Sequence, residues 1–543
     1  MEEDRVDAAN RDFFGIILQK LCNSAIAILS AKEAMCAMIV GLLIVRFVIV
    51  RKKDDRPPGP WPWPIVGNLP SLVGGQLPHV SLFQLSKSFG DLMFLRLGCV
   101  PCVVISSAEM AKEVFTMNDQ NASSRGQGMF VEIMTGYQSL SAAPYGPHWR
   151  HLRKICSAEL FSQKRVAAYQ IARTEEMHEL LKAIFDASRE KSVINLRESL
   201  TVMSRNNMTR MLLKKRYFVR NDEGSVQQGQ RLDHLMSLIF EQAATFIISD
   251  FVPYLLFATK LSGYEKKLRK TRQDSFDVCA AMIGLEKHRQ RKGCESRDYV
   301  PDFVDLLMSM PSEDRSDGLS DETITFVMLD MLIAGSETTA ITIEWALAEL
   351  LRAPDLLKQA QAELDSVISQ DRPVQEADLE QLPYLQAIVK ETFRLHPAVP
   401  LGLPREFIEP CQLAGYKFPA KTRLILNLWA IHRDPNAYDR PHEFDPNRFL
   451  QHPEINVLNY CHYQLMPFGA GRRICPGLTL AVLIVTSTLA HLLHSFDWYS
   501  EKSNQNPEDL NMSESSGLTT PRKNALLLTA KPRKSPSYFE MLL

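Results

Sequence analysis

The spacing of apolar residues along the chain predicts a protein built mainly from helices. Apolar residues recur at the three- and four-residue spacing of helices over long stretches, whereas short runs typical of strands are few. The predicted helices are 109–117, 147–156, 164–188, 201–211, 232–248, 261–291, 321–351, 353–369, 382–395 and 478–494. The predicted strands are 91–106, 411–418, 423–428 and 517–530. This pattern favours a mostly α, α+β fold with small sheets at its edges.

An apolar run at residues 34–50 predicts a membrane anchor near the N-terminus. The run has about 17 residues, the short end of the ~17–25 that span a bilayer, and only Arg46 interrupts it. Because Arg46 lies near the end of the run, its side chain can extend to the headgroups. Residues 1–33 would be a leader whose apolar stretch, 13–29, could form an interfacial helix. The alternative is that both stretches are amphipathic helices buried in a fold.

A basic and proline-rich segment, 51–64, follows the apolar run. By the positive-inside rule, Arg51, Lys52 and Lys53 would keep this side of the anchor in the cytosol. The prolines after them fix φ and remove amide donors, so the segment predicts a stiff, extended connector. The remaining residues, 65–543, contain no internal repeat and form one predicted domain.

The overall charge argues against nucleic acid as a partner. Lys and Arg total 62 against 63 Asp and Glu, so the net charge is −1. The 10 cysteines are scattered and do not have the spacing of a disulfide framework, which fits a reducing compartment. Cys99 and Cys102 have the spacing of a redox motif, but they fall where two predicted strands would turn, so we interpret them as structural.

Cys475 is the residue most suited to binding a metal ion. It follows Gly469, Gly471 and two arginines, and an apolar predicted helix begins just after it. Glycines lack Cβ, so their backbone can approach a flat cofactor closely and adopt positive φ. The N-terminus of the following helix would direct N–H groups at the sulfur, which favours the thiolate. These features suit an iron ligand better than a buried core thiol, which is the alternative.

A second unusual segment, 334–339, lies inside the longest predicted helix. Its sequence, Ala-Gly-Ser-Glu-Thr-Thr, combines a glycine with hydroxyls that can bond to the carbonyl four residues earlier and bend a helix. We therefore expect a local interruption that opens a groove and admits water. Oxygen activation at iron requires such a hydroxyl, with a proton path behind it. A plain kink at a packing contact is the alternative.

These segments resemble the cytochrome P450 family over nearly the whole chain, from the proline-rich segment onward. The haem-binding loop of the family is matched by Phe468, Gly471, Arg473, Cys475 and Gly477. Its acid–threonine motif is matched by 334–339, and further elements by 149–153, 390–397 and 444–449. Asn447 stands where the last element usually has an acid, but Arg448 is present. The chain is most similar to microsomal land-plant members that make phenolics and other specialised metabolites.

The resemblance implies a cytochrome P450 fold, with a helical catalytic domain over 65–543 that binds haem b. The residues implied to bind the cofactor are Trp149, Arg153, Arg405, Phe468, Gly471, Arg473, Cys475 and Gly477, with Cys475 as the metal ligand. Arginine suits the haem propionates because its planar group binds a carboxylate with two hydrogen bonds. Arg125 is a further candidate for this role, without a motif of its own.

Two other groups of residues receive roles from the resemblance. Glu337 and Thr338 would be the catalytic pair, with Glu337 supplying protons and Thr338 donating a hydrogen bond to dioxygen at the haem. Glu391, Arg394 and Arg448 would form a buried ionic triad that supports the haem side of the core. Loss of one partner of such a triad would cost about 3–5 kcal/mol.

The implied activity is an NADPH- and O2-dependent monooxygenase that hydroxylates a small hydrophobic metabolite, with aromatic or phenolic compounds as first candidates. Because the chain has no dinucleotide-binding loop, electrons would come from a separate NADPH–cytochrome reductase. Arg150, Arg153, Lys154 and Arg472 could form its docking patch. The expected location is the endoplasmic reticulum membrane, with one N-terminal anchor in the lipid and the catalytic domain in the cytosol.

Other functions stay open on the sequence alone. A haem-thiolate isomerase, dehydratase or aldoxime-forming enzyme would share the fold, although the intact Glu337 and Thr338 favour oxygen activation. The substrate could instead be a terpenoid or a fatty acid, because the predicted pocket segments are apolar with few polar groups. A non-catalytic haem sensor would not need the acid–threonine pair.

Overall fold

Helices make up most of the fold, which confirms the mostly α prediction. The computed structural model describes residues 56–542, apart from 74, 219–222, 292–300, 311–317, 370–371, 460–461 and 501–508. Pro57–Leu543 group as one compact unit. The predicted leader, 1–33, the predicted anchor, 34–50, and the basic part of the connector lie outside the described residues.

Most of the predicted helices are present, with ends shifted by a few residues. The helices before residue 310 are α1 (Pro70–Val73), α2 (Pro78–Phe89), α3 (Ala108–Met117), α4 (Met129–Thr135), α5 (Pro147–Glu159), α6 (Gln163–Ala168), α7 (Gln170–Arg189), α8 (Leu196–Leu213), α9 (Glu223–Ala244), α10 (Leu256–Leu261), α11 (Tyr264–Ile283), α12 (Leu285–Arg291) and α13 (Phe303–Ser309). The later helices are α14 (Asp321–Arg352), α15 (Pro354–Val367), α16 (Pro383–Leu395), α17 (Leu428–Ile431), α18 (Asn447–Gln451), α19 (Leu478–Ser495) and α20 (Pro536–Glu540). The long helix α14 is central, because α8, α11, α16 and α19 all pack against it.

Small sheets lie beside the helices in the described part of the chain. Their strands are β1 (Leu92–Leu97), β2 (Val100–Ile105), β3 (Ile194–Asn195), β4 (Arg405–Glu406), β5 (Cys411–Leu413), β6 (Tyr416–Phe418), β7 (Arg423–Leu426), β8 (Phe496–Tyr499) and β9 (Leu527–Pro532). The strand orders are β1–β2–β7–β4, β3–β9–β8 and β5–β6. β7 runs parallel to β2, and the other pairs are antiparallel. Cys99 lies in the turn between β1 and β2, as predicted, and both Cys99 and Cys102 are free thiols.

The described part of the proline-rich connector lies against this first sheet. Phe94 on β1 donates its N–H to the carbonyl of Pro58 at 2.9 Å. A Cβ on Gly59 would lie 1.9 Å from the carbonyl oxygen of Phe94, so only glycine allows this approach. The connector therefore begins the compact unit.

Two long predicted helices are divided in the structure. The predicted helix 261–291 is broken at Gly263 and Gly284, whose φ angles of 71° and 63° lie in the left-handed region that glycine tolerates. The predicted helix 164–188 divides into α6 and α7 at Tyr169, where ψ is 8°. Apolar spacing continued through all three breaks, so periodicity alone did not indicate them.

The predicted strand 517–530 is wrong over most of its length, because β9 begins only at Leu527. The backbone before it bonds to side chains of α8 and α14: Trp345 donates to Thr520 O, Arg197 to Arg522 O, and Leu526 N donates to Glu344. These side chains satisfy backbone groups that a strand partner would otherwise pair. The segment therefore crosses the central helix as an irregular loop.

Two described helices, α14 and α19, are long and apolar enough to cross a membrane. Their most apolar windows are 67% and 78% buried within the protein. A helix that is apolar all round suits a protein core as well as a bilayer, and this burial assigns both helices to the core.

Candidate active site

Cys475 lies in a tight loop immediately before helix α19. Its N–H donates to the carbonyl of Phe468 at 3.0 Å and closes the loop. Burial raises the pKa of the Cys475 thiol, whereas hydrogen bonds from the amides of Gly477 and Leu478 oppose that rise. A coordinated metal ion deprotonates a thiol outright, so this geometry offers a sulfur already held by amide donors.

The three buried cysteines that the structure describes differ from Cys475, whose exposure is intermediate. Burial raises the pKa of Cys102, Cys156 and Cys279 to about 12 each, and no amide of a following residue donates to their sulfur atoms. Such thiols remain neutral and act as small apolar side chains. Cys475 is therefore the described cysteine best placed to bind a metal ion.

The glycines around Cys475 serve different purposes. Gly469 and Gly471 have φ angles of 71° and 66°, as expected for a loop that needs left-handed backbone. A Cβ on Gly471 would also lie 2.0 Å from Oδ1 of Asp119, which accepts a hydrogen bond from Arg472 N at 3.0 Å. Gly477 has a φ of −86°, so positive φ does not explain it. Its amide instead donates to the sulfur at the start of α19.

Three arginines from different parts of the chain lie close together beside this loop. Arg473 donates to three carbonyls within 123–143. Arg405 on β4 donates to the carbonyl of Ala470 at 2.7 Å. Arg125 donates to three further backbone carbonyls, at 2.7–3.0 Å. None of the three forms an ion pair with a carboxylate in the part of the chain that the structure describes.

The charges of these arginines fit an anionic ligand. Burial, and to a smaller extent the charges of neighbouring arginines, lower the pKa of Arg473 to about 8 and that of Arg405 to about 9. Burial also lowers the pKa of Arg125 to about 10. Nη1 of Arg405 is buried without an acceptor. A group with two carboxylates would supply acceptors and negative charge, so the residues fit the propionates of haem.

Helix α5 brings Trp149 and Arg153 to the same loop. Arg153 Nη1 donates at 2.7 Å to the carbonyl of Ile474, the residue before Cys475. The guanidinium of Arg473 lies 4.2 Å from the centre of the Trp149 ring, which is 4% exposed. The two side chains are four residues apart, so they share one face of α5. That face supports the cysteine loop.

The side chains of Glu391, Arg394 and Arg448 are in contact. Arg394 donates to both carboxylate oxygens of Glu391 at 2.7 and 2.8 Å, and Arg448 Nε donates at 3.1 Å. Glu391 and Arg394 are fully buried. Phe393, next to Arg394, packs edge-on against Phe468 at 5.1 Å, which links this network to the cysteine loop.

The segment 334–339 does not interrupt the central helix, so that expectation is wrong. α14 runs without a break from Asp321 to Arg352. The expected bonds of hydroxyls to preceding carbonyls are present: Thr338 Oγ1 donates to Ala334 O at 2.8 Å, and Thr339 Oγ1 to Gly335 O at 3.1 Å. Because these bonds supplement the backbone ladder, the helix stays continuous.

Gly335 has a packing role in this segment. A Cβ there would lie 2.6 Å from the sulfur of Met208 on α8. The glycine therefore lets α8 pack closely against the central helix. Glu337 is partly buried, and burial raises the pKa of its carboxyl group.

The structure adds one contact that sequence reasoning missed. Thr519 Oγ1 donates to Oε1 of Glu337 at 3.3 Å, across 182 residues of sequence. No local pattern could have indicated this contact. Arg125, named from the sequence only as a candidate without a motif, lies close enough to Arg405 and Arg473 for its charge to lower the pKa of both.

Comparisons with known proteins agree with this geometry. The family model "Cytochrome P450" matches residues 57–529. A flavonoid 3′-monooxygenase from Petunia hybrida is 42% identical over 487 residues, covering 88% of this chain and 92% of that protein. A flavonoid 3′-monooxygenase from Arabidopsis thaliana is 38% identical, covering 90% and 94%. A 3,9-dihydroxypterocarpan 6A-monooxygenase from Glycine max is 36% identical, covering 93% and 99%.

Solved structures show the same fold. A zebrafish cytochrome P450 solved with progesterone has a TM-score of 0.69 and 23% identity, covering 84% of this chain and 100% of that one. The family match spans most of the chain, and the plant relatives exceed one third identity over nearly all of it. The chain therefore belongs to the cytochrome P450 family, as a haem-thiolate monooxygenase of the plant specialised-metabolism group.

Proposed function

We propose that this protein hydroxylates a phenolic plant metabolite of the flavonoid type, using O2 and electrons from NADPH. The identity of 42% to the Petunia flavonoid 3′-monooxygenase, over 88% of this chain, carries the proposal. The Glycine max relative, named for a dihydroxypterocarpan, supports a hydroxylated aromatic substrate. The pair of Glu337 and Thr338 favours hydroxylation over a rearrangement that needs no oxygen.

In this proposal Cys475 binds the haem iron, while Arg125, Arg405 and Arg473 bind the propionates. When bound, haem supplies the redox chemistry that activates dioxygen, aided by electron density from the thiolate. Trp149 and Arg153 support the loop through their contacts with Arg473 and Ile474. Phe468, Gly471 and Gly477 shape that loop, and the triad of Glu391, Arg394 and Arg448 supports it from behind.

Glu337 and Thr338 would handle protons. Because burial raises the pKa of Glu337, its carboxyl group holds a proton closer to neutral pH and can give it up during turnover. Thr338 already donates its hydroxyl proton to Ala334 O at 2.8 Å. Its oxygen is therefore oriented as an acceptor, and the hydroxyl must leave Ala334 to donate elsewhere.

The expected partner is an NADPH–cytochrome reductase that docks beside the cysteine loop. Arg150, Lys154 and Arg472 are exposed, and α5, which carries the first two, contacts the loop through Arg153. A basic surface next to the thiolate side would steer an acidic electron donor. Arg472 Nε lies 3.5 Å from Asp119, which reduces its share of that charge.

An exposed apolar surface supports attachment to the endoplasmic reticulum membrane. Trp63 and Ile65 are 64% and 73% exposed, and Tyr254, Phe257 and Leu261 are 82%, 61% and 83% exposed. The two segments meet near the β1–β2 turn: Gly98 N donates to Val66 O, and Cys99 N to Phe251 O. Clustered exposed aromatic and apolar side chains are typical of a membrane contact. The predicted anchor, 34–50, would lie in the same membrane and leave the catalytic domain in the cytosol.

The substrate proposal predicts turnover of flavonoids. With a plant reductase, NADPH and O2, the full-length protein is expected to add one oxygen atom to a flavonoid whose 3′ position is unsubstituted, measured by mass spectrometry. Absence of product from a flavonoid panel, with product from a terpenoid or fatty acid, would overturn the substrate class.

Thr338→Ala should keep consuming NADPH while product per NADPH falls about tenfold or more, because proton supply then limits the reaction.

The membrane proposal predicts which surface contacts lipid. In full-length protein carrying Cys99→Ser to remove an exposed thiol, a fluorophore at Phe257→Cys should be quenched strongly by brominated lipid in vesicles. The matched control is the same fluorophore at Lys358→Cys on α15, a position whose side chain is 77% exposed. Equal quenching at both positions would contradict this orientation.

A further inference from the structure

The carboxylate of Glu337 has one hydrogen-bond donor among the residues that the structure describes. Thr519 Oγ1 donates to Oε1 at 3.3 Å. The other oxygen, Oε2, is buried without a partner. Thr519 is itself 6% exposed, so water competes little for its hydroxyl. The two carboxylate oxygens of Glu337 therefore differ, because Oε1 accepts a hydrogen bond and Oε2 accepts none from the described residues.

The loop that carries Thr519 is held in place independently of Glu337. Its next residue, Thr520, donates its N–H to Ala398 O at 3.0 Å and its hydroxyl to Pro397 O at 3.2 Å. Its carbonyl accepts from Trp345 Nε1 at 3.0 Å. Because Trp345 lies on the same helix as Glu337, the position of Thr519 is fixed relative to the carboxylate.

The two arginines whose charges act on Glu337 form their ion pairs with other carboxylates, although Nε of Arg205 is buried without a partner among the described residues. Arg197 and Arg205 on α8 lower the pKa of Glu337 through their charge, as the Thr519 hydrogen bond also does, against the larger effect of burial. Arg197 Nε donates to Glu344 at 2.8 Å, and Arg205 forms an ion pair with Asp233. Neither arginine donates to Glu337, so orientation of the carboxylate depends on Thr519.

We propose that Thr519 is a positioning residue for Glu337: it holds Oε1 and leaves Oε2 as the oxygen that takes up and passes on the proton. The inference rests on the proposed role of Glu337. It also gives the loop at 517–526 a function in the reaction, because that loop sets the direction of the proton donor. The hydroxyl acts through Glu337 and is not itself catalytic.

The test follows the protonation of Glu337 directly. Infrared spectra of the haem-loaded, full-length protein are recorded at a series of pH values. For each variant, the spectrum of the same protein with Glu337→Gln added is subtracted, and the difference isolates the carboxyl band of Glu337. In Thr519→Val, which keeps the shape but lacks the donor, the ratio of protonated to ionised Glu337 at a given pH should rise about two- to tenfold, the factor of one ordinary hydrogen bond. The titration should therefore move to higher pH.

Two variants separate positioning from structural support. Thr519→Ser should restore the wild-type titration, because it restores the hydroxyl. Thr520→Val should leave the titration unchanged, because it removes the bond to Pro397 while the backbone bonds to Ala398 and from Trp345 still hold Thr519 against Glu337. If Thr519→Val does not bind haem, Thr519→Ala is measured in its place. An unchanged titration without the Thr519 hydroxyl, or an equal change in Thr520→Val, would overturn the inference.

The outcome is separable from that of the proposed function. If Glu337→Gln keeps normal product per NADPH, the proton role of Glu337 fails, whatever the infrared result. If Glu337→Gln loses product and Thr519→Val leaves the titration unchanged, only the positioning role fails.

Discussion

Reduced, haem-loaded protein is expected to absorb at about 450 nm with carbon monoxide, and replacing Cys475 with serine is expected to abolish this band. The band would depend on coordination of the haem iron by the Cys475 thiolate, and a serine oxygen would be a harder, weaker donor to iron. Substrate turnover should fall to background in the same variant. Far-UV circular dichroism checks that the fold persists, so that loss of the band reports the ligand.

Cys156→Ala is the matched control for this variant. Cys156 is buried on α5 with its thiol pKa raised to about 12, and we expect it to act only in packing. The band should remain in Cys156→Ala. A band that persists in Cys475→Ser, or that disappears in Cys156→Ala, would assign the iron ligand elsewhere.

Replacing Glu391 with glutamine is expected to lower the free energy of unfolding by about 3–5 kcal/mol, because two guanidinium groups would lose their carboxylate partner in the interior. Glu391 accepts from Arg394, from Arg448 Nε at 3.1 Å and from Asp445 N at 2.8 Å. Glutamine has nearly the same shape, so the loss reports charge and hydrogen bonding. Urea unfolding followed by circular dichroism measures it, and haem absorption should be lost at lower urea.

Arg440→Ala is the control for that experiment. Arg440 pairs with Glu443 and Asp445 at 2.8 and 3.0 Å, close to the same network, but its side chain is 56% exposed. Exposed ion pairs add little to stability, so no measurable change is expected. If Glu391→Gln unfolds at the same urea concentration as the wild type, the triad does not stabilise the core.

Sequence analysis predicted most helices and the motifs of the site, but not where helices end or what the C-terminal loop does. Gly263 and Gly284 break a helix whose apolar spacing continues across them. The loop at 517–526 is irregular because side chains on distant helices bond to its backbone. Propensity acts over a few residues, so such tertiary contacts override it.

The candidate site divides in the same way. The residues around Cys475 form a continuous motif, and the spacing of Trp149 and Arg153 on one helix follows from helical geometry. Arg125 bonds to Leu403 across 278 residues and Arg405 to Ala470 across 65, and only packing could show that both arginines lie beside the loop. The predicted break in the helix near Glu337 is absent, because the hydroxyl-to-carbonyl hydrogen bonds that can bend a helix also fit within an unbroken one.

The sequence by itself determined which chemistry to expect of this protein, because a cysteine in a glycine-rich loop and an acid next to a threonine are local patterns that can be recognised without the fold. The tertiary structure alone decided how that chemistry is supported. It placed three mutually repelling arginines together, an arrangement that favours an anionic ligand, and it brought Thr519 to Glu337 across 182 residues. These contacts depend on long-range packing, whose free energy is set by surfaces that meet only when the chain has folded.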